Sequence, residues 1–314
     1  MGRSNTTADT DGGTSVRAVN ADHAGATNSP PLHGPTERAD RWLAAGLVTL
    51  GLALAVNSVV GPLVAGLVSY PFSETLVYQT IGLEAVTLAL VVPWTVAAAV
   101  LVLRGHPAGA LLAIAPSSYS VYMFLQYVLG PEYLTYRPVV LFHLGIFVLS
   151  GAVLVLAWQR VRTDELPELS ARRERRTGVG LLLLGAFVVF RYLPSFGGMV
   201  TGAPLTQEFA ADPTMFWSIF LLDLGVVVPV TLATGVALLR GAGWASRVAY
   251  GVSGWYVPVP LSVAAMGTVM LVNGDPNASL GFVAVLSVAA VLFTAFASWV
   301  YRPLFGADED LRGE

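Results

Sequence analysis

The 314-residue chain contains no cysteine, which excludes disulfide frameworks, thiolate metal sites, iron–sulfur clusters and cysteine nucleophiles. It contains no lysine either: all 17 basic residues are arginine, set against 20 acidic residues and only 4 histidines. So few histidines leave little for a metal, and no metal or other cofactor is expected. A net charge of -3 leaves no basic surface large enough for nucleic acid. Charged residues of all kinds amount to 12% of the chain, hydrophobic ones to 55%, and the mean hydropathy is +0.67. Such a balance excludes a disordered chain and argues against a soluble enzyme. Also missing are a Walker loop, a Rossmann glycine fingerprint, His-Glu-x-x-His, a serine elbow and paired helical histidines for haem. No catalysis is therefore expected, an enzyme acting on lipid being a distant third reading.

What is present is a series of long apolar runs. Residues 1–41 are rich in Ser, Thr, Asp, Gly, Asn and Pro, have no apolar core of signal-peptide length, and are expected to be a disordered tail. From Trp42 on, polar or Pro/Gly-containing turns divide the chain into eight stretches of the length a spanning helix needs: 42–61, 80–103, 108–129, 138–158, 178–196, 213–239, 249–272 and 280–301. The fold class is thus all-α, a polytopic membrane protein of eight transmembrane helices, with the lipid bilayer as its first partner.

Arginine sets the orientation, because cytoplasmic flanks carry an excess of it. Arg38, Arg41, Arg104, Arg160, Arg162, Arg172, Arg173, Arg175, Arg176, Arg240, Arg247 and Arg302 all fall on one side of an eight-span layout. The opposite loops hold only Arg137, with Glu74, Glu132, Glu208, Asp212 and Asp275. Both termini, including the short tail 302–314, are expected in the cytoplasm of a cell-membrane protein.

An internal duplication is also expected. LVVPWTVAAAVLVLRG at 90–105 matches GVVVPVTLATGVALLRG at 225–241, with Pro93 over Pro229, Thr95 over Thr231 and Arg104-Gly105 over Arg240-Gly241, all 136 apart. At nearby offsets Asn57 falls over Arg191. Two four-helix repeats, 42–158 and 178–301, would flank an arginine-rich cytoplasmic linker, 159–177. With an even number of helices in each, the repeats run parallel, related by an axis along the membrane normal.

Polar side chains within the spans mark the faces that meet. Counting about 1.5 Å of rise per residue from the arginine-rich ends places Asp223, Arg191, Asn57, Gln126 and Glu84 at roughly 20–30 Å, all in the outer half, with His143 five residues into a descending helix. If they converge, they line an outward-facing vestibule over an apolar floor. Arg191 with Asp223 is the best single pair; Glu84 is expected to be hydrated at the membrane edge and His143 to be an interfacial hydrogen-bonding residue. Pro93 and Pro229, and Pro116 against Pro258 and Pro260, are expected to interrupt helices at corresponding places, a pointer to a midplane site.

Residues 79–130, QTIGLEAVTLALVVPWTVAAAVLVLRGHPAGALLAIAPSSYSVYMFLQYVLG, resemble an uncharacterised class of prokaryotic multi-pass membrane proteins, in which an acidic residue, a proline and an Arg-Gly turn lead into a Tyr-rich helix. In that likeness Glu84 and Asp223 are the acidic positions and Arg104-Gly105 the turn. It implies the architecture and no activity. Two functions follow as expectations: binding or translocation of a small solute or ion in the vestibule, or a non-transporting membrane scaffold.

Overall fold

The computed structural model describes residues 35–162, 166–167 and 170–310. The tail expected at 1–41 lies outside the described residues as far as position 34; from Pro35 the chain is already helical. All regular structure among the described residues is helical. The helices are α1 (Pro35–Val60), α2 (Glu74–Leu103), α3 (Ala108–Leu129), α4 (Pro138–Arg160), α5 (Ala171–Thr201), α6 (Pro213–Leu239), α7 (Ala245–Val272), α8 (Leu280–Tyr301) and the short α9 (Pro303–Asp310). The first eight are long and apolar enough to cross a membrane, so the chain is a multi-pass integral membrane protein in a lipid bilayer.

Four expected spans begin earlier than hydropathy suggests: α1, α2, α5 and α7. α2 starts at Glu74 rather than near Thr80, because Ser73 caps it and Tyr78 and Gln79, polar but helix-compatible, continue the turn pattern outward. α5 starts at Ala171, so Arg172, Arg173, Arg175 and Arg176 belong to its first turns rather than to a loop. Arg173 lies over the Trp299 ring, 4.7 Å from its centroid, and donates to the Trp299 carbonyl. Arg160 bonds Asp40 at 2.8 Å, and Arg247 sits 4.0 Å over Trp158. These contacts gather the arginines at one end of the bundle, where the stems extend helices past the apolar layer.

α3 and α7 form the centre: 72% of the most apolar stretch of α3 and 50% of that of α7 are buried, against 22% for α4 and α5. α3 packs on α2, α4 and the first segment of α7, and the second segment of α7 packs on the first turns of α2. The first segment of α6 lies against α3, α1 against α2 and α4, α5 against α6, and α8 against α7. With no apolar driving force between helices in lipid, close backbone approach holds them. A Cβ on Gly82 would stand 2.5 Å from the Met266 backbone nitrogen, and one on Gly178 or Gly235 would stand 2.9 Å from the other's carbonyl. The Arg-Gly turns end α2 and α6 with Gly105 and Gly241 at φ 68° and 69°, a left-handed geometry that favours glycine.

The prolines act less uniformly than expected. Directly before Pro93 and Pro229, α2 and α6 each widen into a π-helical turn, Thr87–Val91 and Asp223–Val227. There Val92 N–H bonds the Thr87 carbonyl and Val228 N–H bonds that of Asp223, five residues back, which makes room for a ring without a donor. The two turns are 136 residues apart, the same spacing as the sequence match. Pro116, by contrast, does not interrupt α3. The carbonyl its ring deprives, that of Leu112, accepts a 3.0 Å hydrogen bond from the Trp94 indole instead. Pro258 and Pro260 follow a genuine break in α7 at Tyr256 and Val257.

Candidate functional site

Of the six polar residues expected within the spans, Glu84, Asn57 and His143 form one cluster, Asp223 and Arg191 another, and Gln126 stands apart from both. The first is closed. Glu84, on α2, is only 1% exposed, which corrects its expected place at a hydrated edge: because α2 starts at Glu74, Glu84 lies ten residues, roughly 15 Å, inside the helix. Asn57 Nδ2 donates to its Oε1 at 2.7 Å, the Tyr127 hydroxyl donates to the same oxygen, and the Ser58 hydroxyl donates to Oε2. Asn57 Oδ1 in turn meets His143 Nε2 at 3.1 Å, and the Tyr70 hydroxyl stands 3.4 Å from the same nitrogen. His143 is fully buried and hydrogen-bonded, packed among Tyr70, Phe124 and Tyr127 at ring distances of 5.0–5.7 Å. Among the described residues no arginine or histidine comes within ion-pair distance of Glu84.

The second cluster is open. Asp223, at the start of the α6 π turn, accepts from Tyr122 at 2.6 Å, Tyr192 at 2.7 Å and Arg191 at 3.4 Å. The Arg191 side chain is 33% exposed and also meets the Tyr192 hydroxyl at 3.3 Å. α5 bends at Tyr192, before Pro194, and the bend aims both residues at α6.

Between the central helices is a cavity of about 380 Å³, and this second cluster forms part of its wall. α3 is its back, with Tyr119, Tyr122, Met123, Gln126 and Tyr127. α2 and the second segment of α7 give one side, through Gln79, Leu83, Ser262 and Met266; Arg191, Tyr192, Met215 and Asp223 give the other. Glu208 and Phe209, from the connection between α5 and α6, cover it. That cover is fastened to α2 by Gln79 Nε2 to Glu208 at 2.6 Å and Ser73 N–H to Asp212 at 3.2 Å. Burial pushes the Glu208 carboxyl above its ordinary range, opposed by the Gln79 hydrogen bond and the Arg191 charge.

Gln126, Arg191 and Asp223 thus line the cavity, whereas Glu84, Asn57 and His143 do not; Tyr127, a wall residue whose hydroxyl bonds Glu84, links the first cluster to the cavity. Gln126 is 6% exposed, and its Nε2 has no hydrogen-bond partner among the described residues. Toward the arginines the lining stops at Tyr119, Leu83 and Asp223, above buried Leu111, Ala115, Ala249 and Tyr250. Tyr119 closes that level by bonding Thr87 and Ser262, each at 3.0 Å.

Tyr127, Tyr192, Ser58 and Glu208 are working residues that the sequence alone does not single out. The first three carry no charge, so nothing but their contacts marks them, and Glu208 is legible only as a loop acid. Among the described residues no three His, Asp or Glu side chains converge as metal ligands. Compared with protein-family models, curated proteins and solved structures, the chain matches none.

Proposed function

We propose that this integral membrane protein is non-enzymatic and binds a small, largely apolar solute with one polar end in the cavity beneath Glu208. The observation that carries this reading is the cavity itself, a space of about 380 Å³ whose largely apolar wall also holds Gln126 and the Arg191–Asp223 pair. Aromatic and methionine side chains supply the apolar surface, and the partly exposed Arg191–Asp223 pair a second polar contact.

The arginine distribution favours cytoplasmic termini in a cell membrane, which makes the cavity face outward. The 136-residue spacing of the Pro93 and Pro229 π turns favours descent of the two four-helix halves from one duplicated unit. The apolar floor below Tyr119 keeps this conformation one-sided, so translocation requires a second state in which α3 and α7 part.

The rival reading is a non-transporting scaffold, and the closed Glu84 cluster favours it, since that cluster ties α1, α2 and α3 together without leaving space for a ligand. The variant Gln126→Leu separates the two. With purified protein and a panel of small amphipathic solutes, solute-induced rises in Tm are expected in the wild type and absent in the variant. The variant itself should be as stable or up to about 2 kcal/mol more stable, because it removes an unpaired donor. No stabilising solute for either protein, with reconstituted flux unchanged by Asp223→Asn and Arg191→Leu, would leave the scaffold.

A further inference from the structure

The closed cluster holds a carboxyl group that the solute-binding reading does not use. Its surroundings are specific. Every donor that reaches Glu84 is uncharged: Asn57 and Ser58 from α1 and Tyr127 from α3. The titratable groups facing it are Tyr127 and Tyr119 of α3, Tyr70 of the connection after α1, and His143 of α4 beyond Asn57. α7, packed on α2 at Gly82, presents Ala265 and Met266, neither titratable. An ionised carboxylate in so dry a place wants a cation, and none is at hand.

The two oxygens are not equivalent. Oε1 receives two donors, Asn57 Nδ2 and Tyr127 Oη, and behaves as a carbonyl oxygen does. Oε2 has one partner, the Ser58 hydroxyl, and a hydroxyl can accept as readily as donate. Because Ser58 lies in a helix, its own proton has an alternative acceptor in the backbone carbonyl one turn earlier.

We propose that Glu84 is a proton-binding site of the membrane interior, with the proton on Oε2 donated to Ser58 Oγ while Oε1 accepts from Asn57 and Tyr127. Binding adds one proton to the carboxylate and turns the Ser58 hydroxyl from donor to acceptor; release reverses both. The site is one side chain from the cavity, since the Tyr127 ring lines the latter. Its role as a coupling proton for solute rests on the cavity reading, whereas the proton itself does not.

Infrared spectroscopy of the full chain at pH 7, without any solute, tests the proposal. The wild type should show the carbonyl band of a buried, protonated carboxylic acid, lost completely in Glu84→Gln and retained in Asp223→Asn and Glu208→Gln. In Tyr127→Phe the band should move to higher frequency, because Oε1 loses one of its two donors; a purely structural tyrosine would not move it. Should Glu84→Gln fail to fold, carboxyl-13C glutamate in the unaltered chain must shift the band and 13C aspartate must not. No such band, a band that survives in Glu84→Gln, one that shifts with labelled aspartate, or one that Tyr127→Phe leaves in place overturns the proposal. Since no solute is present, failure of the cavity reading leaves these outcomes intact.

Discussion

Glu84 and Asp223, on α2 and α6, are held by similar patterns of neighbours in opposite chemistry. Each is bonded to two consecutive residues of the preceding paired helix, Asn57 and Ser58 near the end of α1 in one case and Arg191 and Tyr192 at the bend of α5 in the other. Each also accepts from a tyrosine of α3, Tyr127 or Tyr122. The difference is a charge and an opening. Asp223 has a guanidinium and a cavity wall; Glu84 has neither. A carboxyl group in a membrane interior is thus tolerated in two ways, by a counter-charge with access to water or by saturating neutral donors in the dry.

The largest test of this contrast removes each acid outright. Glu84→Ala leaves Asn57 and Tyr127 with buried donors and no acceptor and takes from Ser58 Oγ its partner, and should cost on the order of 4 kcal/mol in mixed-micelle unfolding. Asp223→Ala should cost about half as much, because Arg191 and the cavity side of Tyr122 and Tyr192 can turn to water. Equal losses would mean that the opening makes no difference.

A finer test keeps the shape and replaces each carboxyl with its amide. Asp223→Asn breaks the charge pair with Arg191, whose side chain is a third exposed, so a loss of about 1 kcal/mol is expected, shrinking further in high salt. Glu84→Gln should show no salt dependence, having no ion pair to screen. Unfolding curves at low and high ionic strength read both; salt sensitivity at Glu84 would reveal a charge there and break the contrast.

Hydropathy made the eight spans legible, and the arginine pattern anticipated which ends gather. The nearness of Arg191 and Asp223 was legible too, since the two face each other from helices joined by a short connection. Glu84 was misplaced because Tyr78 and Gln79 lower the hydropathy of turns that nevertheless continue α2 outward. Its pairing with Asp223 as the equivalent acid was also inexact: at the constant spacing Phe220 falls over Glu84, and Asp223 over Thr87, one turn further on. No local pattern announced that Pro116 would leave α3 whole, because the compensating donor, Trp94, lies on another helix. The cavity cover was illegible for the same reason, its fastening being the long-range bond between Gln79 and Glu208.

Glu208 lies between the two extremes and gives the smallest effect. It is half-buried, has one neutral donor in Gln79, and feels Arg191 without an ion pair to it. Burial raises its carboxyl above the ordinary range near about 4.3, so over that interval the folded chain holds a proton that the unfolded chain has lost. Stability from this group is therefore greatest in acid, falls as pH rises toward the folded value, and is flat above it. Glu208→Gln keeps an acceptor for Gln79 and cannot titrate, so the difference in stability between wild type and variant should shift between pH 4 and pH 7 by less than about 1 kcal/mol, given the exposure. Thermal unfolding of both proteins across that range measures the shift. A slope of opposite sign would make Glu208 a charge-paired acid like Asp223, with Arg191 shared between them. In that case the cover over the cavity would be held by charge rather than by the Gln79 hydrogen bond.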